Sequence, residues 1–277
     1  MLQLLKHLAR ETRKTIFLST HDMELALQEK QFCIYLQPIY NLKTNKIVSA
    51  EALVRWNHPV NGTISPAHFV PVFERNGFIV RLDRFVWEEV CRFLQRQKTN
   101  GAPVVPVSVN VSRLHFYNMD LLDFLMRLLE QYELSPELLK LEITESAYTE
   151  NPHQITSVIK EFRAKGFRIL MDDFGSGYSS LNVLTEYTFD VLKLDLVFLR
   201  SYDHNPKAGN LLAYIIGGAK GMGIQPLTEG VETEEHYEFL KKAGCERAQG
   251  YYFGKPQPMD ESRIMTRGKG LKWEEVF

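Results

Sequence analysis

Acidic and amide residues recur at or just past the ends of successive apolar runs along this chain. Glu51 lies in Ile47–Val54, and Asn110 near the end of Val104–Val111. Glu142 and Glu145 close Leu139–Thr144, and Asp172-Asp173 follow Arg168–Met171. Lys193 sits in Asp190–Leu194 with Asp195 beyond it, Glu229 follows Ile224–Thr228, and Gln249 lies in Ala248–Phe253. No histidine occupies any of these places. A set of oxygen donors suits hard divalent cations such as Mg²⁺, Mn²⁺ or Ca²⁺ rather than zinc. Carboxylates brought into one pocket repel one another, and bound divalent ions would make the arrangement tolerable.

Each residue has a chemical and a plainer reading. Neighbouring strand residues point to opposite faces, so Asp172 and Asp173 can serve one site only where the strand ends. Phe174-Gly-Ser-Gly177 supplies that turn, its glycines allowing φ > 0. Two ions about 3.5–4 Å apart could clamp a phosphoryl group and activate a water; the same pair could merely cap a helix. Alternation puts Val191, Lys193 and Asp195 on one face. A lysine there either pairs with carboxylates or orients a water and stabilises developing charge. Arg55, four residues after Glu51, shares its face and suits a phosphate oxygen or a rim salt bridge. Asn110 is either a ligand or a strand-ending turn residue. The aromatics after Gln249 (Tyr251-Tyr252-Phe253) would stack on a base or fill core. His58, His68, His115, His153, His204 and His236 show no ligand spacing.

The elements that must position these groups are eight candidate strands alternating with helical patterns, such as Phe85–Leu94, Leu121–Leu129 and Glu234–Lys242. Regular alternation implies α/β architecture with a mostly parallel sheet. Eight strands in 277 residues favour a closed (β/α)₈ barrel, whose active site lies at the carboxyl ends of its strands. A net charge of −1 argues against duplex nucleic acid or an anionic membrane as partner. Three scattered cysteines and no long apolar run point to a reducing, cytoplasmic setting without a membrane span. Residues 1–22 read as an N-terminal extension and 260–277 as a charged tail. Ile16-Phe-Leu-Ser-Thr-His-Asp22 is similar to a segment of ABC transporter ATPases, but no phosphate-loop glycine motif accompanies it, so a non-functional fragment is expected.

From residue 23 to 259 the motifs coincide with one family. Glu51-Ala-Leu-Val-Arg-Trp56 resembles the signature of the EAL-domain phosphodiesterases. The likeness extends in order through Leu36-Gln-Pro38, Asn110-Val-Ser112, Leu141-Glu-Ile-Thr-Glu-Ser146, Asp172-Asp-Phe-Gly-Ser-Gly-Tyr-Ser-Ser180, Asp190-Val-Leu-Lys-Leu-Asp195, Thr228-Glu-Gly-Val-Glu-Thr233 and Gln249-Gly-Tyr-Tyr-Phe-Gly-Lys-Pro256. The resemblance implies a modified TIM-like barrel with one antiparallel strand. It also implies hydrolysis of cyclic di-GMP to linear pGpG with two Mg²⁺ or Mn²⁺ ions. By the same resemblance, Glu51, Asn110, Glu142, Asp172 and Asp173 hold metal, and Lys193, Glu229, Gln249 and Glu51 serve catalysis. Gln37 and Arg55 contact substrate, Glu145 steadies the loop Phe174–Ser180, and two copies pair as a homodimer. A degenerate cyclic di-GMP receptor is the alternative, although every matched position is filled. An enolase-like barrel with Lys193 as base is a third.

Overall fold

The structure is a computed structural model that describes residues 20–117, 120–150, 152–176 and 183–259. Residues 1–19 of the N-terminal extension and the charged tail lie outside the described residues, and the division at residues 22 and 259 is a proposal. In chain order the elements are α1 (Thr20–Gln28), β1 (Phe32–Asn41), β2 (Lys46–His58), β3 (Gly62–Ile64), α2 (Pro66–Asn76), α3 (Ile79–Thr99) and β4 (Val107–Asn110). Next come α4 (Leu121–Gln131), β5 (Leu139–Thr144), α5 (Glu145–Glu150), α6 (Pro152–Ala164), β6 (Ile169–Phe174), α7 (Val183–Glu186) and β7 (Val191–Leu194). The remainder are α8 (Val197–His204), α9 (Pro206–Gly221), β8 (Gln225–Thr228), α10 (Glu234–Lys242), β9 (Arg247–Ala248) and β10 (Gln257–Pro258).

Strands β2, β4, β5, β6, β7, β8 and β9 pair side by side in parallel. β1 pairs antiparallel with both β2 and β9 and closes an eight-stranded barrel. Its direction follows from the connection. Only residues 42–45 separate β1 from β2, and so short a link can join antiparallel strands but not parallel ones. Asn41 builds that turn: its Oδ1 accepts from the Lys43 and Thr44 amides at 2.8 and 3.1 Å, and Asn45 takes φ 55°. The long hairpin sets Gln37 directly opposite Glu51.

Strand alternation divides the buried residues into two populations. Val107, Val109, Leu139, Leu141, Ile143, Ile169, Met171, Leu192 and Leu194 belong to the main apolar core, on the side that the helices cover. The residues between them, including Ser108, Glu142, Asp172 and Lys193, point the other way, into the barrel. Partway down the lumen Ile39, Val48, Leu170, Val191 and Leu227 form a separate apolar cluster. Val48 joins it through a bulge, since Ile39 faces Ser49 while Tyr40 faces Ile47. A third cluster, rich in aromatics (Phe32, Trp56, Phe69, Phe73, Phe78), packs α2 and the start of α3 against the β1–β2 hairpin.

Most expected elements are present, and the last strand is shorter than expected. Ala248–Phe253 reads as one β run from its aromatics, but only Arg247–Ala248 pairs as strand. At Gly250 the chain folds onto Val231: the Val231 amide donates to Gln249 O at 3.1 Å, and the Tyr252 amide to Val231 O at 2.9 Å. A Cβ at Gly250 would lie 2.1 Å from Val231 O and 2.3 Å from Val231 N. Gly250→Ala is therefore expected to cost about 1–3 kcal/mol, read as a lower urea midpoint at unchanged slope. An unaltered midpoint would show that this crossing is not tightly packed.

Candidate active site

Lys193 is the centre of the carboxyl rim. Its side chain is 1 % exposed, and Nζ lies 2.6 Å from Glu142 Oε2, 2.8 Å from Asp172 Oδ1, 2.8 Å from Glu229 Oε1 and 3.6 Å from Glu51 Oε1. An ammonium has three donors, and three short contacts use them. The fourth carboxylate finds another partner: Gln249 Nε2 donates to Glu51 Oε2 at 2.6 Å and to Gln37 Oε1 at 3.0 Å. Gln37 in turn donates to Gly254 O at 3.3 Å. Six residues from β1, β2, β5, β6, β7 and the segment after β8 thus meet at one place, with Gln249 from just beyond β9.

The electrostatics follow from burial. With all four acids ionised, the cluster would carry three uncompensated negative charges. Burial raises the Glu142 carboxyl well above its ordinary range; Glu51 adds to this and Lys193 opposes it. Burial likewise pushes Glu229 up to about 8 against the pull of Lys193. Burial alone would lower Lys193, but Asp172, Glu142, Glu229 and Glu51 hold it well above its usual value, so it stays charged. Among the described residues, no three carboxylate, imidazole or thiolate side chains are gathered as a ready-made metal cage. They surround the ammonium instead.

Asp172 and Asp173 reach one cavity by the route their adjacency requires. Asp172 points inward by parity. Asp173 then takes φ 59°, a left-handed conformation that Asp tolerates better than most residues, and the β6–β7 register shifts between Met171 and Phe174. The Asp173 amide donates to Asp172 Oδ1 at 3.0 Å. Burial, reinforced by the Asp172 charge, raises Asp173 to about 6. At Gly175, φ is 98°, and a Cβ would strike the Phe198 ring at 2.2 Å. Beyond Ser176 the loop Phe174–Ser180 leaves the described residues.

Asn110 stands opposite Glu142 in the β4–β5 register. With Asp172 and Asp173 it lines a cavity of about 340 Å³, within the range of small-molecule sites. The apolar wall of that cavity includes Pro66, Val70, Pro71 and Ile79 from α2 and α3. The support behind Asn110 escaped the sequence reading. Trp87 Nε1 donates to Asn110 O at 3.0 Å. Asp83 Oδ2 accepts the Ser112 amide at 3.0 Å and lies 3.0 Å from Nε2 of buried His115. Asp83 and Trp87 are four apart on α3, hence on one helical face, and that spacing was the available signal.

Other expected residues stand apart from the Lys193 cluster. The Arg55 guanidinium donates to Val54 O at 3.1 Å and lies over the Tyr35 ring. Glu145 is buried at the start of α5. Tyr251 and Tyr252 are exposed and do not line the cavity among its described walls; Tyr252 stacks on Tyr237 and Phe253 on Tyr40. Asp195 caps locally, accepting the Val197 amide at 2.7 Å.

A parallel barrel with one reversed strand, its acids and single lysine gathered at the carboxyl rim beside an open cavity, has the layout of a barrel enzyme. The EAL domain family matches residues 21–256, and the chain belongs to that family. It is 33 % identical over 241 residues to the bifunctional diguanylate cyclase/cyclic di-GMP phosphodiesterase MucR of Pseudomonas aeruginosa, covering 87 % of this chain and 35 % of MucR. It is 34 % identical over 238 residues to the cyclic di-GMP phosphodiesterase NbdA of the same organism, covering 86 % and 30 %. The chain therefore spans about a third of the length of these curated relatives. The structure of the PaMucR phosphodiesterase in its c-di-GMP complex superposes with a TM-score of 0.82 at 33 % identity, covering 87 % of this chain and 98 % of that one.

With Glu229 at about 8 against an ordinary value near 4.5, the fold prefers the protonated form. The stability this contributes is complete below the lower value and is lost as pH rises through the upper one. In chelator, the melting temperature of the wild type should fall between about pH 5 and 8 relative to Glu229→Gln. Parallel curves would contradict the assigned burial of this acid.

Proposed function

We propose that this chain is a metal-dependent phosphodiesterase that hydrolyses cyclic di-GMP to linear pGpG. One observation carries the reading: a buried lysine ringed by four carboxylates, one of which, Asp172, also lines a cavity sized for a small ligand. The names of the relatives and the c-di-GMP bound to PaMucR support the choice of substrate.

The donor set fits Mg²⁺ or Mn²⁺. Every candidate ligand is an oxygen, and Glu142 Oε1 is buried with no hydrogen-bond partner among the described residues, a lone pair that a cation would satisfy. Glu51, Asn110, Glu142, Asp172 and Asp173 would hold two ions. When bound, these lower the pKa of a water and neutralise charge on the phosphate.

The chain's own groups then have separate tasks. Lys193 supplies a fixed, charged donor that orients the attacking water and steadies the negative charge developing on the phosphoryl oxygens. Glu229, adjoining Lys193, takes in its ionised form the proton that the water gives up, and the fraction in that form grows as pH approaches about 8. Gln249 holds Glu51 in place through its 2.6 Å hydrogen bond. Gln37 and Arg55 present an amide and a guanidinium to the substrate. The water oxygen bonds to phosphorus, the P–O3′ bond breaks, and the departing 3′ oxygen takes a proton from solvent water while Glu229 returns its own to solvent. Glu145 steadies the loop after Phe174. A homodimer and a cytoplasmic setting belong to the same reading and rest on the resemblance and on cysteine usage; no helix among the described residues is long and apolar enough to cross a membrane.

Purified protein with Mn²⁺ and cyclic di-GMP should release pGpG, and chelator should stop it. Tight binding without turnover would replace this reading with that of a receptor. Lys193→Ala should lower turnover by about 10²-fold or more, the loss expected of one oriented donor, with a smaller effect on Mn²⁺ affinity. Glu51→Ala should lose both. Full turnover in Lys193→Ala would remove the lysine from the mechanism.

A further inference from the structure

The opposite end of the barrel carries a second polar chamber. Lys140 lies two residues before Glu142 on β5 and shares its inward parity; Arg247 enters the lumen likewise from β9. With Arg163 and Arg168 they line a cavity of about 420 Å³ at the amino end. It shares no lining residue with the cavity at the carboxyl rim, and the apolar cluster of Ile39, Val48, Leu170, Val191 and Leu227 lies between the two.

Basic side chains outnumber acidic ones along the walls of this chamber. Four cationic side chains line it against two acids, Glu137 and Asp190. Glu137 is exposed, and water screens its charge. Asp190 is already engaged: Oδ1 accepts from Arg163 Nη2 at 3.1 Å and Arg168 Nη1 at 3.0 Å, and Oδ2 accepts the Ile169 amide at 2.9 Å. Lys140 is 7 % exposed, and among the described residues its ammonium makes no hydrogen bond or ion pair. Burying a lysine without a partner disfavours its charged form, and an anion entering the chamber would favour that form again. Guanidinium forks beside an ammonium match the oxygens of a phosphate.

We propose that the amino end of the barrel is a second binding site, for a phosphate group either free or carried on a small molecule, with Lys140 as its buried anchor and Arg163, Arg168 and Arg247 around it. The site is separate from the candidate active site, and its occupancy is read without turnover.

Titration calorimetry in chelator, at constant ionic strength set with chloride, tests it with two probes: inorganic phosphate and ribose 5-phosphate. Saturable binding of either is expected, and which one binds tells a free ion from a carried group. Lys140→Met should weaken binding by about tenfold or more, the loss of one charge-assisted hydrogen bond. Arg168→Gln, at a side chain 60 % exposed and so safe for folding, should weaken it in the same direction. No saturable binding of either probe, or equal affinity in the wild type and both variants, would overturn the proposal.

Discussion

The burial of one ammonium among four carboxylates is the constraint on which the rest of this structure depends. A buried lysine is tolerable only where acids surround it, and the acids are tolerable only with a cation among them. Lys193, Glu142, Asp172, Glu229 and Glu51 solve each other's desolvation problem. The solution is partial, since it leaves excess negative charge that appears as raised carboxyl pKa values. That residual charge is what the proposed hard cations would neutralise.

The barrel makes this meeting possible. Residues more than a hundred positions apart in sequence arrive at one rim because each strand places one inward side chain at its carboxyl end. The reversed β1 contributes from mid-strand instead, through the direct Gln37–Glu51 pairing. Below the charged layer lies an apolar layer, two of whose members, Val48 and Val191, also line the basic chamber beneath. Such stacking of side chains in layers is the normal way a small barrel fills its interior.

Much of this was legible in the sequence. Leu139–Thr144 and Glu234–Lys242 have the expected limits at both ends, because clear period-2 and period-3.6 patterns coincide there with turn and cap residues. The inward place of Lys193 followed from parity alone. The same parity argument applies to Lys140, but that lysine lies between Leu139 and Leu141 at the amino end of its strand, away from the rim where barrel active sites form. The Asp83–His115 support of the Asn110 segment joins α3 to the turn after β4, a tertiary contact that no local pattern encodes. Tyr251-Tyr252-Phe253 misled for another reason: aromatic content mimics a strand, whereas the close approach of Gly250 to Val231 forces a turn.

The central claim is that the acids now held by Lys193 are the natural ligands of divalent ions. Anomalous diffraction from crystals grown in Mn²⁺ tests it most directly. The account predicts two peaks at the carboxyl rim, in contact with oxygens of Glu51, Asn110, Glu142, Asp172 and Asp173. Peaks confined to surface carboxylates, with Lys193 still paired to Glu142, Asp172 and Glu229 at saturating Mn²⁺, would contradict it.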